Sequence, residues 1–305
     1  MQLLYHFIVA SKAFSLEESA SEPWKDDLDP VSIAFTKHYL LHSILAISAI
    51  QIYFNDKSQT QKYQQAISHQ DAAIRQARPH LIHLTKEHAE AMFWFSVYTS
   101  LFSLIEPLLR PTGPDSKSQK LDLINELVNS FQLGRGVRAT LSQQDSNSKL
   151  AQIPTSGFYE DNRKELRPHL RKNYPQLDQL RGFIEATKTY SNPQEDLGDC
   201  LKAAEDLFLD IAVLQHDLTN KKNTRLIMTW TMSLTNVFLD LCKTKHPAAI
   251  GVLAFYSVAL HTRQTVWFFQ GWPVVLLQEC ERILQKSTVD YGALLEWPKQ
   301  IITGP

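Results

Sequence analysis

The chain has 305 residues, 44% of them hydrophobic and 21% charged, with 31 basic and 32 acidic side chains and a formal net charge of −1. This composition excludes an intrinsically disordered chain. The even charge balance argues against a surface that tracks phosphates, because such affinity comes from Lys and Arg releasing counterions. Glycine is scarce, with 10 residues, which favours helices with short connections over a turn-rich β-protein.

In chain order, residues 1–15 read as a short helix whose start lacks the basic region of a signal peptide. A polar stretch, 15–30, carries Asp26, Asp27 and Asp29 and ends at Pro30, which suits the first turn of a helix. From 31 to 54 the apolar residues Ile33, Tyr39, Leu40, Ile44, Ile47 and Ile50 cover one broad helical face. The spacing then predicts a helix over 58–84 with Ala66, Ala73, Ile74, Ala77 and Leu81 inward, and a third, more apolar one over 87–109. Arg110-Pro111-Thr112-Gly113-Pro114 breaks the pattern. A helix over 118–141 follows, with Leu121, Ile124, Leu127, Val128 and Phe131 inward, and residues 142–157 read as a mobile loop. The second half predicts helices near 160–172, 175–189, 194–217, 222–243, 247–269, 272–286 and 290–301. No segment alternates with period two. The expected fold is therefore all-α: a single large multi-helix orthogonal bundle of about ten to twelve helices, without a sheet, forming one domain over 1–305. The uncharged runs 91–105 and 247–260 fall short of the roughly 20 residues a membrane span needs and read as buried helices.

Several constellations carry candidate chemistry. His38 and His42 lie four residues apart on one helix face, a metal-ligand spacing, but Tyr39 stands where a zincin has Glu and no third ligand is evident. These two read as core or boundary histidines. Asp26, Asp27 and Asp29 could hold Mg²⁺ and through it a diphosphate, although acidic residues before a helix also serve its N-terminus. Asp206 and Asp210, beside Glu205, make a second acidic helix face that reads as solvated. Gly134-Arg135-Gly136-Val137-Arg138-Ala139 matches a dinucleotide string but follows a helix pattern rather than a strand. Cys200, Cys242 and Cys280 are too scattered for a zinc module and read as reduced, buried thiols. Trp230, Phe255, Tyr256, Trp267 and Trp272 concentrate aromatic surface in the last third, as a core seam or as the lining of an apolar pocket.

Several strings taken together resemble one family. Leu3-Leu4-Tyr5-His6-Phe7, the block from Ala34-Phe35 through His38-Tyr39-Leu40-Leu41-His42 to Ser48-Ala49, and Leu133 with Arg135-Gly136-Val137 are the first of them. His246-Pro247-Ala248-Ala249, Leu253-Ala254-Phe255-Tyr256, Trp267 with Gly271-Trp272, and Glu296-Trp297-Pro298 complete the set. Their order and spacing resemble the effector domain of fungal zinc-cluster transcription factors of the sterol-uptake-control type, over nearly the whole chain. The resemblance implies a regulatory protein, nuclear and cytoplasmic, that senses a sterol or terpenoid in an apolar pocket of its C-terminal half. Trp230, Phe255, Tyr256, Trp267 and Trp272 are the expected lining. The six-cysteine cluster that normally precedes this domain is missing from these residues, so no direct nucleic-acid contact is expected. The partners are an apolar small molecule and optionally a second copy in a homodimer, with no cofactor and no membrane span. The alternative is a biosynthetic enzyme on the same helical shell. It would be a Mg²⁺-dependent terpene cyclase using Asp206 and Asp210 for catalysis and Asp26, Asp27 and Asp29 for the metal.

Overall fold

The structure is a computed structural model and describes residues 2–14, 29–82, 85–111, 121–142, 160–188, 197–216 and 224–304. Among the described residues every regular element is a helix and there is no strand. The order is α1 Gln2–Phe14, α2 Pro30–Ala34, α3 His38–Asn55, α4 Thr60–Ile82, α5 Lys86–Leu109, α6 Leu123–Ser142, α7 Glu160–Leu166 and, after a 3-10 turn Arg167–His169, α8 Leu170–Asn173. Then come α9 Pro175–Thr187, α10 Gly198–His216, α11 Thr224–Ser233, α12 Asn236–Lys243, α13 Pro247–His261, α14 Trp272–Leu284 and α15 Gly292–Thr303. The expected mobile loop at 142–157 lies outside the described residues beyond Ser142.

The chain divides into two compact units, residues 1–113 with 129–154, and residues 114–128 with 155–305. In the first, α3 is the centre and packs on α1, α2, α4 and α5. Leu40, Ile44, Ile47 and Ile50 on α3 have no exposed surface. The helix expected over 31–54 is broken in two. The Ile33 carbonyl takes the amides of both Thr36 and Lys37 and the Thr36 hydroxyl, which ends α2 one turn before α3 begins. Asp29 accepts from the amides of Val31 and Ser32, and Pro30 occupies the first turn, so this carboxylate caps α2.

On α4 the inward stripe is narrower than the apolar pattern suggests. Ala66, Ala73 and Ala77 are fully buried, whereas Ile74 and Leu81 are 43% and 56% exposed. Small side chains at these three positions let α4 lie close against α3, and Ile74 and Leu81, about 60–80° round the helix from that stripe, fall on its flank. Helix α5 is the one described segment long and apolar enough to cross a membrane. Glu87–Leu109 spans 23 residues, against the shorter run expected from the sequence, and 67% of its apolar window is buried within the protein, as in a core helix. Its one buried carboxylate, Glu106, receives Arg110 through two hydrogen bonds of 2.9 and 2.6 Å and the Tyr63 hydroxyl. Burial acts to raise its pKa. The Arg110 and Tyr63 bonds outweigh this and hold it below the usual carboxylate range.

In the second unit α13 is the centre. Every residue from Ala248 to Leu260 is buried, and α9, α10, α12, α14 and α15 surround it. Its start is fixed by His246, whose Nδ1 accepts from the Ala248 amide at 3.3 Å, and by Pro247 in the first turn. Immediately upstream, α12 ends with the Lys245 amide bonded to the Cys242 carbonyl and the His246 amide to the Leu241 carbonyl. That is the Schellman pattern, with Lys245 at φ 59° in the place glycine usually takes. The Lys245 ammonium reaches the Asp122 carboxylate at 2.5 Å.

Two other expected helices are interrupted. The one over 222–243 separates into α11 and α12, because the Thr235 hydroxyl caps the Phe238 amide and starts a new helix. The one over 247–269 stops at His261, and residues 262–271 form successive turns that lead to Gly271, at φ 89°, before α14.

Helix α9 packs its side chains tightly onto α13 at Gly251. A Cβ there would meet the Phe183 ring at 3.0 Å and Leu180 at 3.4 Å, whereas one at Gly182, on the exposed side of α9, would meet nothing within 4 Å. Gly251→Val is expected to lower unfolding stability by about 1–3 kcal/mol through overpacking. Gly182→Ala is expected to raise it by about 0.5–1 kcal/mol, because the helix interior gains propensity at no steric cost. Urea denaturation of the two variants beside the parent chain checks both signs.

Candidate functional site

The aromatic residues of the second unit gather along α13 in two stacks. Trp230 of α11 lies parallel to Tyr256 with ring centres 4.7 Å apart, and Phe238 meets the Trp230 indole edge-on at 6.3 Å. The Trp230 Nε1 donates to the Ala203 carbonyl at 3.0 Å, which anchors the indole to α10. At the next position Phe255 faces Phe208 of α10 at 5.3 Å and Trp297 of α15 at 5.7 Å, while Phe208 and Trp297 lie parallel at 6.1 Å. Trp230, Phe255, Tyr256 and Trp272 are all 1% exposed or less. Burial pushes the Tyr256 hydroxyl well above its usual pKa, so it stays neutral.

The structure thus places the five sequence candidates unequally. Trp230 and Tyr256 form one stack, Phe255 belongs to its neighbour, and Trp272 is buried at the head of α14. Trp267 lies apart in the turns of 262–271, half-buried, with its ring edge on Phe268 at 6.0 Å. Phe208 and Trp297 complete the seam and are absent from the sequence-based set. Trp297 was signalled by its place in Glu296-Trp297-Pro298, and Phe208 by nothing beyond an apolar run on α10. Chemically the seam offers flat apolar faces in a dry setting.

The acidic residues of α10 are not the solvated face expected of them. Asp210 has no exposure, and its Oδ1 accepts from Nε and Nη2 of Arg163, brought by α7, at 3.0 and 2.5 Å. Its Oδ2 is buried and has no partner. Burial pushes the Asp210 pKa up to about 7, against the opposing pull of Arg163, and Asp206 one turn earlier adds to the rise. Burial raises the Asp206 pKa too. Glu205 is the member of the group that faces out, bridging to Arg167 at 3.2 Å. Asp210 is therefore tied into an internal ion pair. Asp26 and Asp27 lie outside the described residues, and Asp29 serves as the cap of α2. Among the described residues no three His, Cys, Asp or Glu side chains form a group able to hold a metal ion. A shallow open groove of about 400 Å³ in the first unit is lined by Tyr63, Gln64, Ile67, Ser68, Asp71 and Arg75 of α4.

The three thiols converge. Cys200, Cys242 and Cys280 are all free and buried, one each from α10, α12 and α14. Burial first, then the proximity of Cys200 and Cys280, drives the Cys242 pKa far up, and burial raises that of Cys280, so these two thiols are protonated in the folded chain.

No protein-family model, no curated protein and no solved structure matches this chain.

The Arg163–Asp210 pair generates a signed expectation. Its folded pKa of about 7 lies above the unfolded value of 3.8, so the folded chain binds the proton more tightly over that window. The contribution of Asp210 is full below pH 3.8 and is lost as pH rises towards 7, with a limiting slope of about 1.4 kcal/mol per pH unit. Asp210→Asn is expected to flatten the stability profile between pH 5 and 7. Arg163→Ala, which strands the carboxylate, is expected to cost about 3–5 kcal/mol at pH 8. Chemical denaturation across that pH range reads both.

Proposed function

We propose that the chain is a ligand-responsive regulatory body of the fungal zinc-cluster effector type, taking an apolar small molecule of sterol or terpenoid shape in its C-terminal half. The observation that carries this reading is the ordered set of family-like blocks along the sequence, together with the structural positions those blocks occupy. The His38–Ala49 block is α3, the centre of the first unit. His246-Pro247 is the cap and first turn of α13, Leu253-Ala254-Phe255-Tyr256 its buried middle, and Gly271-Trp272 the entry to α14. The motif residues of the second unit thus include Phe255 and Tyr256 of the aromatic seam and the residues that start α13 and α14.

The reading includes the family architecture, one effector domain of orthogonally packed helices over 1–305, and the family's nuclear and cytoplasmic setting. It assigns no DNA contact to this chain. A neutral ring system would be held mainly by burial, at about 25 cal/mol per Å² of apolar surface removed from water, and would take its place by parting the Trp230–Tyr256 and Phe255–Trp297 stacks. The terpene-cyclase alternative calls for acidic side chains turned to a common cavity. Asp210 is held by Arg163 instead, and no observation favours that second reading.

Saturable binding of a labelled sterol is expected for the purified chain, with a neutral lipid recoverable by organic extraction. Trp230→Ala should weaken binding about tenfold or more, since truncating a stacked, buried aromatic costs about 2–4 kcal/mol, whereas Trp94→Phe in the first unit should leave it unchanged. A chain that carries no lipid and binds no sterol or terpenoid saturably overturns the proposal.

A further inference from the structure

Of the two histidines at metal-ligand spacing on α3, only one finds a partner, and the partner comes from another helix. The Nδ1 of His42 stands 2.9 Å from the Nδ1 of His69 on α4, with ring centres 5.2 Å apart and the planes tilted by 38°. Both rings are half-buried, and α3 and α4 make the most extensive helix pair of the first unit, so the backbone holds the two Cβ atoms in place. His38, one turn earlier, is exposed and is not needed for the argument.

Two imidazole nitrogens this close admit one of two bridges. One is a shared proton, with one Nδ1–H donating to the other ring. The second is a metal ion. A tetrahedral ion with metal–nitrogen bonds of about 2.05 Å sets its two nitrogens about 3.3 Å apart, so the 2.9 Å hydrogen-bonded contact has to open by about 0.4 Å to admit it. The rings need only tilt by about 35° each from the line joining them for both lone pairs to converge on one point. Burial, the largest cause, holds both rings below the usual histidine pKa, so they are neutral and able to ligate at neutral pH. On binding, the ring that donated its hydrogen from Nδ1 carries it on Nε2, and no net proton is released.

We propose that His42 and His69 form a binding site for a divalent transition-metal ion that accepts imidazole in tetrahedral geometry, Zn²⁺ or Co²⁺. The remaining positions go to water, which leaves the ion open to exchange. Arg75, whose charge acts on His42, opposes the cation and sets an upper limit on its affinity. The site is separate from the aromatic seam, which belongs to the other unit.

The test uses the full chain, stripped of metal, titrated with Co²⁺ by visible absorption and with Zn²⁺ by calorimetry. One equivalent should bind, with the intense visible band of tetrahedral Co²⁺. His42→Gln and His69→Gln should each raise Kd about tenfold or more and abolish the band. Arg75→Gln should lower Kd. His80→Gln with His88→Gln, a stacked pair 3.9 Å apart elsewhere in the same unit, should change nothing. Binding that survives loss of both His42 and His69, or an octahedral Co²⁺ spectrum, overturns the proposal. If either variant fails to fold, diethylpyrocarbonate mapping of the parent chain decides the matter. Zn²⁺ must protect His42 and His69, and labelling of both that is unchanged by Zn²⁺ refutes the site.

Discussion

A helix without a polar face has to be covered on every side, and α13 imposes that condition on the second unit. Thirteen consecutive residues, Ala248 to Leu260, are buried, so no arrangement that leaves one flank to water is open to the chain. Five helices supply the cover, and each needs an apolar face of its own and a connection short enough to bring it back. Gly251 gives Phe183 and Leu180 of α9 their close seat against α13. Phe255 and Tyr256, adjacent in sequence and about 100° apart around the helix axis, turn two aromatic faces towards different neighbours. The two stacks are consequences of covering α13 with large side chains.

Against this apolar background the few buried charges determine which helix lies where. Arg163 gives the short helix α7 a specific dock on α10, because a guanidinium taken out of water has no stable place except on Asp210. Glu106 plays the corresponding part in the first unit, holding Arg110 from the end of its own helix and Tyr63 from α4. Neither pair is a strong stabiliser in net terms, since desolvation offsets much of the attraction. Their effect is selective: a misplaced neighbour would leave a bare charge in the interior.

The helical class was legible from periodicity and from the scarcity of glycine, and so were the long elements, because an amphipathic stripe repeats many times along them. What escaped the sequence lies in single hydrogen bonds. The break between α2 and α3 depends on the Ile33 carbonyl drawing in Thr36 and Lys37, and the break between α11 and α12 on the Thr235 hydroxyl. Both occur inside runs whose hydrophobic pattern continues without a fault. Ile74 and Leu81 look inward by pattern because Ile and Leu dominate any apolar count, yet the packing stripe of α4 is made of alanines. The candidate site was readable as a composition and unreadable as a geometry. The sequence singles out Trp230, Phe255 and Tyr256 but cannot say that the first and third stack, nor that Phe208 joins them from α10. Asp206 and Asp210 show the opposite failure. Four-residue spacing makes an acidic face, and only the presence of Arg163, 47 positions away, tells that Asp210 faces inward. His42 is the same case, since its partner His69 lies 27 positions on.

All three cysteines of the chain belong to the second unit, in its interior, and the first unit has none. Sulfhydryl reactivity is therefore a clock tied to one half of the molecule. While α10, α12 and α14 stay packed around α13, a thiol reagent meets three buried sulfurs. Opening of that half brings them within reach. The chain thus carries its own reporter on the breathing of that half, with no label added.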